Sequence, residues 1–453
     1  MNPPVLPPAV DAALARLHGA GIRAWLVGGA LRDLLRGVPA RDFDVVVEGT
    51  LDRASEALSG AGGRTVSIGG AVPVVLVRGP FRIEVTAFRG AARDLEEDLR
   101  LRDFTLNAIA FDREQAHLVD PLGGRSDLRA RVLRATDPAR VFRDDPLRVL
   151  RGLRLARELD LSVDAETALA LQRDAWRLCD CAGERLREEL FRGLRLDDVT
   201  RFVHELRACG ALAALLPELV RTVGVAQNRH HVEDVFAHTL RVCQLCPPEP
   251  VLRLAALLHD IAKPECKQLS QKTGDWTFLR HEQRADEGVR RVAERLRLSR
   301  AVRDRVARLV RHHLLFPDRL ETDAALRRML RRVGTDLIDD LLALRHADYA
   351  SRTAGGGVPD DWADTEARIR AELARRSTPG LRETELAVTG RDVMQELGVG
   401  SGEEVGEWLR RLTQRIAEHP EENERERLLE WLRSLRAPHS TPSGGRADEE
   451  EDA

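Results

Sequence analysis

Asp42 and Asp44 lie two residues apart in Arg41-Asp42-Phe43-Asp44-Val45-Val46-Val47, a run that reads as a strand. Strand side chains alternate faces, so both carboxylates point the same way. Two like charges on one rigid face repel unless a cation sits between them. An oxygen-only carboxylate pair suits Mg²⁺, which takes one or two carboxylates plus substrate phosphates. Upstream, Leu26-Val27-Gly28-Gly29-Ala30-Leu31-Arg32-Asp33 supplies a glycine pair that lets backbone approach a phosphate. Arg32 follows one turn into the next helix. Together Gly28, Gly29, Arg32, Asp42 and Asp44 describe a site that moves a nucleotide by two-metal chemistry. An Asp-x-Asp alone also fits a solvated edge strand; the ordered motifs further along decide against that.

A second set of residues suits a different metal. His259-Asp260 closes the apolar run Leu254-Ala255-Ala256-Leu257-Leu258, with His238 before it and Asp348 in Leu344-Arg345-His346-Ala347-Asp348-Tyr349. A single histidine on a helix is usually a satisfied core residue. Adjacent His and Asp in apolar surroundings are costly unless a metal or a hydrogen-bonded partner satisfies them. Imidazole with carboxylate fits a transition metal or Mg²⁺ in phosphate-ester hydrolysis, and His281, His312 and His313 are candidates to complete the shell.

The elements that must position these groups change character along the chain. A first helix is expected over Asp11 to Ala20, then strands over Ala24 to Val27, Phe43 to Val47, Val72 to Val77 and Arg82 to Ala87, separated by Gly- and Pro-containing breaks. From Asp144 onward leucine and alanine recur at helical spacing against arginine and glutamate. Arg352-Thr353-Ala354-Gly355-Gly356-Gly357-Val358-Pro359 reads as a linker, and the Ser/Pro/Gly-rich end from Pro438 with its acidic run reads as disordered. The fold class is therefore α+β.

With 453 residues and 43% hydrophobic content, the chain can bury two or more domain cores. The net charge is only −3, so a nucleic-acid partner would meet basic faces rather than a basic whole. The six cysteines lack zinc-ligand spacing: Cys179-x-Cys181 and Cys243-x-x-Cys246 have no matching second pair, which points to reduced thiols. The proline-rich start has no signal pattern and no apolar run reaches membrane-spanning length, so a cytoplasmic location is expected.

The motifs in order resemble the class II nucleotidyltransferases, the family of tRNA CCA-adding enzymes and bacterial poly(A) polymerases. The most specific stretch is Arg102-Asp103-Phe104-Thr105-Leu106-Asn107-Ala108, in which the resemblance gives Arg102 the nucleotide phosphates; Leu101 stands where many relatives have another arginine. Thr105 and Asn107 fit structural caps as well as site residues. Asp120-Pro121-Leu122-Gly123-Gly124-Arg125-Ser126-Asp127 also matches the family, and its own pattern is a tight turn before a helix cap. Glu84 is placed where a third carboxylate would help deprotonate a terminal ribose hydroxyl, or where a strand simply faces solvent.

Asp144-Asp145-Pro146-Leu147-Arg148 matches the family's base-reading Glu-Asp-x-x-Arg, with Asp144 in place of the glutamate. The resemblance implies that Asp145 and Arg148 bond the Watson–Crick edge of incoming CTP or ATP, and that Arg151 and Arg154, three and six residues on, contact phosphate or ribose. Without the resemblance this stripe would read as a solvated arginine face. Between Thr86-Ala87-Phe88-Arg89 and Leu95-Glu96-Glu97-Asp98-Leu99 only Gly90-Ala91-Ala92-Arg93-Asp94 intervenes. A connection this short resembles family members that add two cytidines and stop. His238, His259, Asp260 and Asp348 resemble an HD domain, and Val388 to Gly398 with Gly402 to Leu409 resembles the family's C-terminal RNA-binding helices.

The expectation is a polymerase β-like nucleotidyltransferase head over 1–137, a helical neck with the base-reading helix over 138–222, an HD domain over 223–355, a helical RNA-binding tail over 356–436 and a disordered acidic tail over 437–453. Its substrates would be CTP and tRNA lacking its 3′ CCA, its head cofactor Mg²⁺, with a second divalent metal in the HD site. Full CCA addition (with ATP) or poly(A) synthesis is the first alternative. An HD phosphohydrolase with an RNA-binding head is the second, and a purely RNA-binding role the third.

Overall fold

The computed structural model describes residues 4–59, 65–68, 74–78, 81–228, 233–314, 320, 322–352, 358, 360–377, 386–400, 402–418 and 422–435. Residues 72 and 73 of the expected third strand, most of the expected linker and the acidic end lie outside them. The chain divides into two compact units, Met1–His313 with His346–Gly356, and Leu314–Arg345 with Gly357–Ala453.

The first unit begins with a helix, Pro8–Gly19, whose early start follows from a proline at its first position, where the missing N–H costs nothing. Seven strands follow: β1 Ala24–Val27, β2 Asp42–Val47, β3 Thr65–Ile68, β4 Val74–Arg78, β5 Arg82–Ala87, β6 Ala110–Asp112 and β7 His117–Val119. They form one sheet in the order β3-β4-β5-β2-β1-β6-β7. Its single parallel pair is β2 with β5; the other neighbours are antiparallel. Four of the seven were visible in the sequence. The others are three or four residues long, too short for alternation to stand out.

One sheet face packs Val45, Val47, Ile83 and Val85 against Leu14, Leu17, Leu31 and Leu58 of three helices. The opposite face buries Trp25, Val27 and Val46 against Leu95 and Leu99 of the helix Leu95–Arg100. That second cover reaches only part of the sheet, and the carboxylate ends of β2 and β5 project beyond it.

After the sheet the described chain is mainly helical. One departure is a hairpin, β8 Lys267–Leu269 against β9 Trp276–Phe278, inside the stretch expected to be helical. Ser270 to Gly274 supplies its turn, with Gly274 at φ 64°. The six cysteines are unpaired, as expected. Among the described residues no helix is long and apolar enough to cross a membrane.

In the second unit, helix Gly390–Leu397 opens on a capping box in which the Thr389 and Asp392 side chains each accept the other's backbone N–H. It ends on Gly398 at φ 71°. With helices Glu403–Glu418 and Arg425–Leu435 it closes over Val393, Val405, Leu412, Leu428 and Leu432. Arg425 and Arg433 tie the last helix to Asp392 and Glu396 at 2.6 and 2.9 Å.

Candidate active site

Alternation along β2 sends Phe43, Val45 and Val47 into the helix-covered core and leaves Asp42 and Asp44 on the other face. β5 runs parallel in a register that sets Glu84 beside Asp44. All three carboxylates line a cavity of about 1120 Å³, together with Gly28, Gly29, Arg32, Arg102, Asp145, Arg148, Arg151 and Arg154. Arginines outnumber acids along this lining, yet neither Asp42 nor Asp44 has an ion-pair partner among the described residues. Glu84 does, holding Arg82 at 2.6 Å. Burial pushes the Asp44 carboxyl above its ordinary value; the Arg102 charge opposes this and the Glu84 charge reinforces it. An unpaired, partly desolvated carboxylate pair is the donor set a hard divalent cation fits.

The two glycines differ. Gly28 sits at φ 75°, and a Cβ there would lie 2.6 Å from Asp44 Oδ2. A Cβ at Gly29 would make only ordinary contacts, the nearest with Arg32 at 3.5 Å. Arg32 is nearly buried on the helix Gly28–Leu35 and bonds Asp33 through Nε and Nη2 at 2.9 and 3.0 Å, and Asn107 Oδ1 through Nη1 at 2.9 Å.

Arg102 points at the same place from the other side. Burial, with Arg89 nearby, brings its guanidinium down to about 10. It shares the fully buried Asp98 carboxylate with Arg89, which bonds it through its backbone N–H at 2.8 Å and its side chain at 3.0 Å. Asp103 is held low: Arg151 and Asn107 outweigh the burial that would raise it. Thr105 Oγ1 donates to Asp127 at 2.7 Å, and Asn107 bridges Asp103 and Arg32. Both therefore act as structural links. Asp120 accepts from the N–H groups of Gly124 and Arg125, the turn and cap expected of it.

The helix Leu147–Glu158 carries Arg148, Arg151 and Arg154 into the cavity. Pro146 takes its N-cap position, and Asp145 accepts the Leu147 N–H at 3.3 Å. Arg148 donates to the Val141 and Leu101 carbonyls at 3.4 Å each. Arg151 lies 3.3 Å from Asp103. Arg154 is buried and spent on Glu189, at 2.7 Å, and Glu158.

Sequence reading missed the helix that holds these side chains, Gly183–Gly193. Its Arg185 bonds Asp145 at 2.8 Å and its Glu189 bonds Arg154 and approaches Arg151 at 3.5 Å. Residues 185, 189 and 192 share a helical face, the one signal that would have found them.

A second cluster lies among the helices of the same unit. His238, His259 and Asp348 offer ligand atoms within 4.8 Å of one another, and so do Asp260, His281 and His313; all six are buried. The structure thus brings His281 and His313 to the four expected residues, whereas the adjacent His312 belongs to neither set. Asp260 lies well below the carboxylate range because His259 and Lys263 outweigh its burial.

The chain also matches known proteins. Residues 24–134 match the Poly A polymerase head domain, and residues 267–432 match tRNA nucleotidyltransferase domain 2. The chain is 36% identical to the A-adding tRNA nucleotidyltransferase of Deinococcus radiodurans, over 86% of this chain and 91% of that one. It is 34% identical to the CC-adding tRNA nucleotidyltransferase of Thermus thermophilus, over 90% and 93%. Among solved structures, the Bacillus stearothermophilus CCA-adding enzyme in complex with CTP superposes with a TM-score of 0.66 at 26% identity, over 95% of this chain and 98% of that one. An acid-bearing sheet, an arginine helix over the same cavity and relatives aligned nearly end to end place this chain in the CCA-adding family of tRNA nucleotidyltransferases.

Proposed function

We propose that this nucleotidyltransferase adds two cytidines to the 3′ end of tRNA lacking its CCA, using CTP and releasing pyrophosphate, and stops before the adenosine. The observation that carries this reading is the connection from β5 to the helix Leu95–Arg100. Arg89 is locked to Asp98, Arg93 N–H donates to Glu97 at 2.8 Å and Asp94 caps the helix through Glu97 N–H at 2.9 Å. A connection fixed at both ends leaves little slack to swing a base-reading side chain from cytosine to adenine.

Asp42 and Asp44 would hold Mg²⁺, which when bound polarises the α-phosphate and lowers the pKa of the attacking hydroxyl. Glu84 takes the proton of the RNA 3′-hydroxyl. Gly28 and Gly29 let backbone approach the triphosphate, while Arg32, Arg102 and Arg151 supply positive charge to phosphates and ribose; Arg154, held by Glu189 and Glu158, would have to give up those carboxylates to do the same. Asp145 accepts from the cytosine amino group, and the planar Arg148 fork donates to its ring nitrogen and carbonyl. The tRNA acceptor arm is gripped by the helical tail, mainly through phosphates and duplex shape. The histidine cluster would hold a divalent metal through His238, His259, Asp260 and Asp348, with phosphohydrolase chemistry as its use.

The A-adding relative favours one second reading, addition of the terminal adenosine alone. Incorporation on two tRNAs, one ending before CCA and one ending in CC, with CTP and ATP supplied separately, decides. Two C additions to the first and none of A to the second are expected. Adenosine on the CC-ended tRNA, with or without prior C addition, overturns the cytidine-only reading, and poly(A) tails would replace it with polymerase activity.

A further inference from the structure

We propose that Asp98 is a positioning residue for nucleotidyl transfer: its buried carboxylate aims Arg102 at the triphosphate and also pins Arg89, so the phosphate contact and the connection after β5 are set together. This deepens the reading above, in which Arg102 meets the nucleotide phosphates, and rests on it.

Asp98 lies on the helix Leu95–Arg100 and is fully buried. A buried carboxylate is costly unless its oxygens are met by donors, and here both are. Oδ1 accepts the Arg89 backbone N–H at 2.8 Å. Oδ2 accepts Arg89 Nη1 at 3.0 Å and Arg102 Nη2 at 3.3 Å. Two cations thus share one anion, and both of them line the nucleotidyl cavity. One negative charge against two leaves the trio net positive, as a polyphosphate requires of its walls.

The two arginines depend on Asp98 in different ways. The Arg102 side chain is nearly buried, and among the described residues its single hydrogen bond is the one to Asp98; its Nε is buried with no partner. A guanidinium carries five donors, so most of those on Arg102 remain free for a ligand. Asp44 and Asp103 attract this group by charge and Arg89 repels it. Asp98 is the partner that fixes its direction. Arg89 is half-buried and doubly tied, through main chain and side chain, to the same carboxylate. Its neighbour Phe88 stacks on Trp25 with ring centroids 6.0 Å apart. Any swing of the connection therefore pulls the Arg89 N–H from Oδ1, disturbs the carboxylate that holds Arg102 and alters the phosphate contact.

The test uses the full chain with CTP, a tRNA ending before CCA, and inorganic pyrophosphate as inhibitor. Asp98→Asn keeps the shape and removes the charge. It should raise KM for CTP and the inhibition constant of pyrophosphate about tenfold each, as for one lost charge-assisted hydrogen bond, with KM for tRNA changed less than about twofold. In an Arg102→Gln background the same substitution should add nothing to either, because its effect passes through Arg102. A merely structural role would add its loss in both backgrounds. Arg89→Gln, at a half-buried position, carries the test should Asp98→Asn fail to fold. It should change pyrophosphate inhibition less than about twofold while raising the share of ATP incorporated in place of CTP severalfold. Additive losses in the double variant, Asp98→Asn inhibited like the parent, or an unmoved ATP share in Arg89→Gln would each overturn the proposal. So would a tenfold loss of pyrophosphate affinity in Arg89→Gln, which would make Arg89 a phosphate ligand itself. Unchanged pyrophosphate inhibition in Arg102→Gln alone would instead remove the phosphate reading of Arg102, and Asp98 with it.

Discussion

The nucleotidyl cavity and the histidine cluster are both built from acids brought together by secondary structure, yet they solve opposite problems. In the cavity the donors are oxygens on a partly uncovered sheet face, and arginines surround them without neutralising Asp42 or Asp44. In the cluster the donors are mostly imidazoles, fully buried, with every Nδ1 tied outward. An open oxygen site can exchange a metal with each nucleotide; a closed nitrogen site is made to keep its ions. The difference would be one of residence: a cation held in the open cavity exchanges readily, whereas one held in the buried cluster does not.

The largest expected effect breaks one region and spares the other. Asp42→Ala with Asp44→Ala should lower nucleotide incorporation by at least about 10³-fold, since several kcal/mol of metal-borne charge stabilisation are lost. Metal retention by the histidine cluster should not change. Preserved incorporation would remove Asp42 and Asp44 from the reaction.

Next is Gly28→Ala. The added Cβ meets Asp44 Oδ2 and must adopt positive φ, so incorporation should fall about 10²-fold, as for a displaced reacting group. Stability should fall by about 1–2 kcal/mol, the cost of a left-handed non-glycine residue, read from denaturant unfolding. Gly29→Ala, without that contact, should be mild in both measurements.

Glu84→Gln should lower kcat about tenfold, at or below the small end of general-base effects. It also tests the field at Asp44, whose carboxyl is raised by burial and further by Glu84. In the metal-free protein the carboxylate form, and with it the capacity to take up Mg²⁺, is lost as pH falls through that raised pKa. Removing the Glu84 charge should move the acid limb of the pH–rate profile downward by up to about one unit. An unmoved limb would show that Glu84 does not act on Asp44.

The smallest effect belongs to Arg185→Ala. Freeing Asp145 from its ion pair should alter KM for CTP by a few fold, about the 0.2–1 kcal/mol of a part-exposed pair, and relax discrimination against ATP. Equal KM values for both nucleotides before and after would take Asp145 out of base selection.

Much of the nucleotidyl site was legible because strand alternation is strict: two acids at i and i+2 have one possible geometry. Arg102 and the arginine stripe followed from motif order. Arg185 and Glu189 were not legible, because their helix meets the arginine helix only through tertiary packing and surface arginine–glutamate spacing is common along this chain. The short strands β3, β6 and β7 escaped for want of length. At the histidine cluster the six donors were all named, but their division into two sets, and the exclusion of His312, depends on ring orientations that backbone carbonyls help to impose. Spacing carries no record of those.

The lone parallel pair in the sheet has an evolutionary consequence. Glu84 meets Asp44 through backbone hydrogen bonding between β2 and β5, with no side chain arbitrating the match. The thirty-odd residues joining those strands include β3 and β4 of the same sheet, so length changes that spare the acidic trio must fall outside those strands and leave the pairing frame intact. A single-residue slip inside β5, by contrast, would exchange Glu84 for Ile83 or Val85 and remove the carboxylate from beside Asp44. Selection should tolerate length variation in the loops of the crossover and forbid it within the strands.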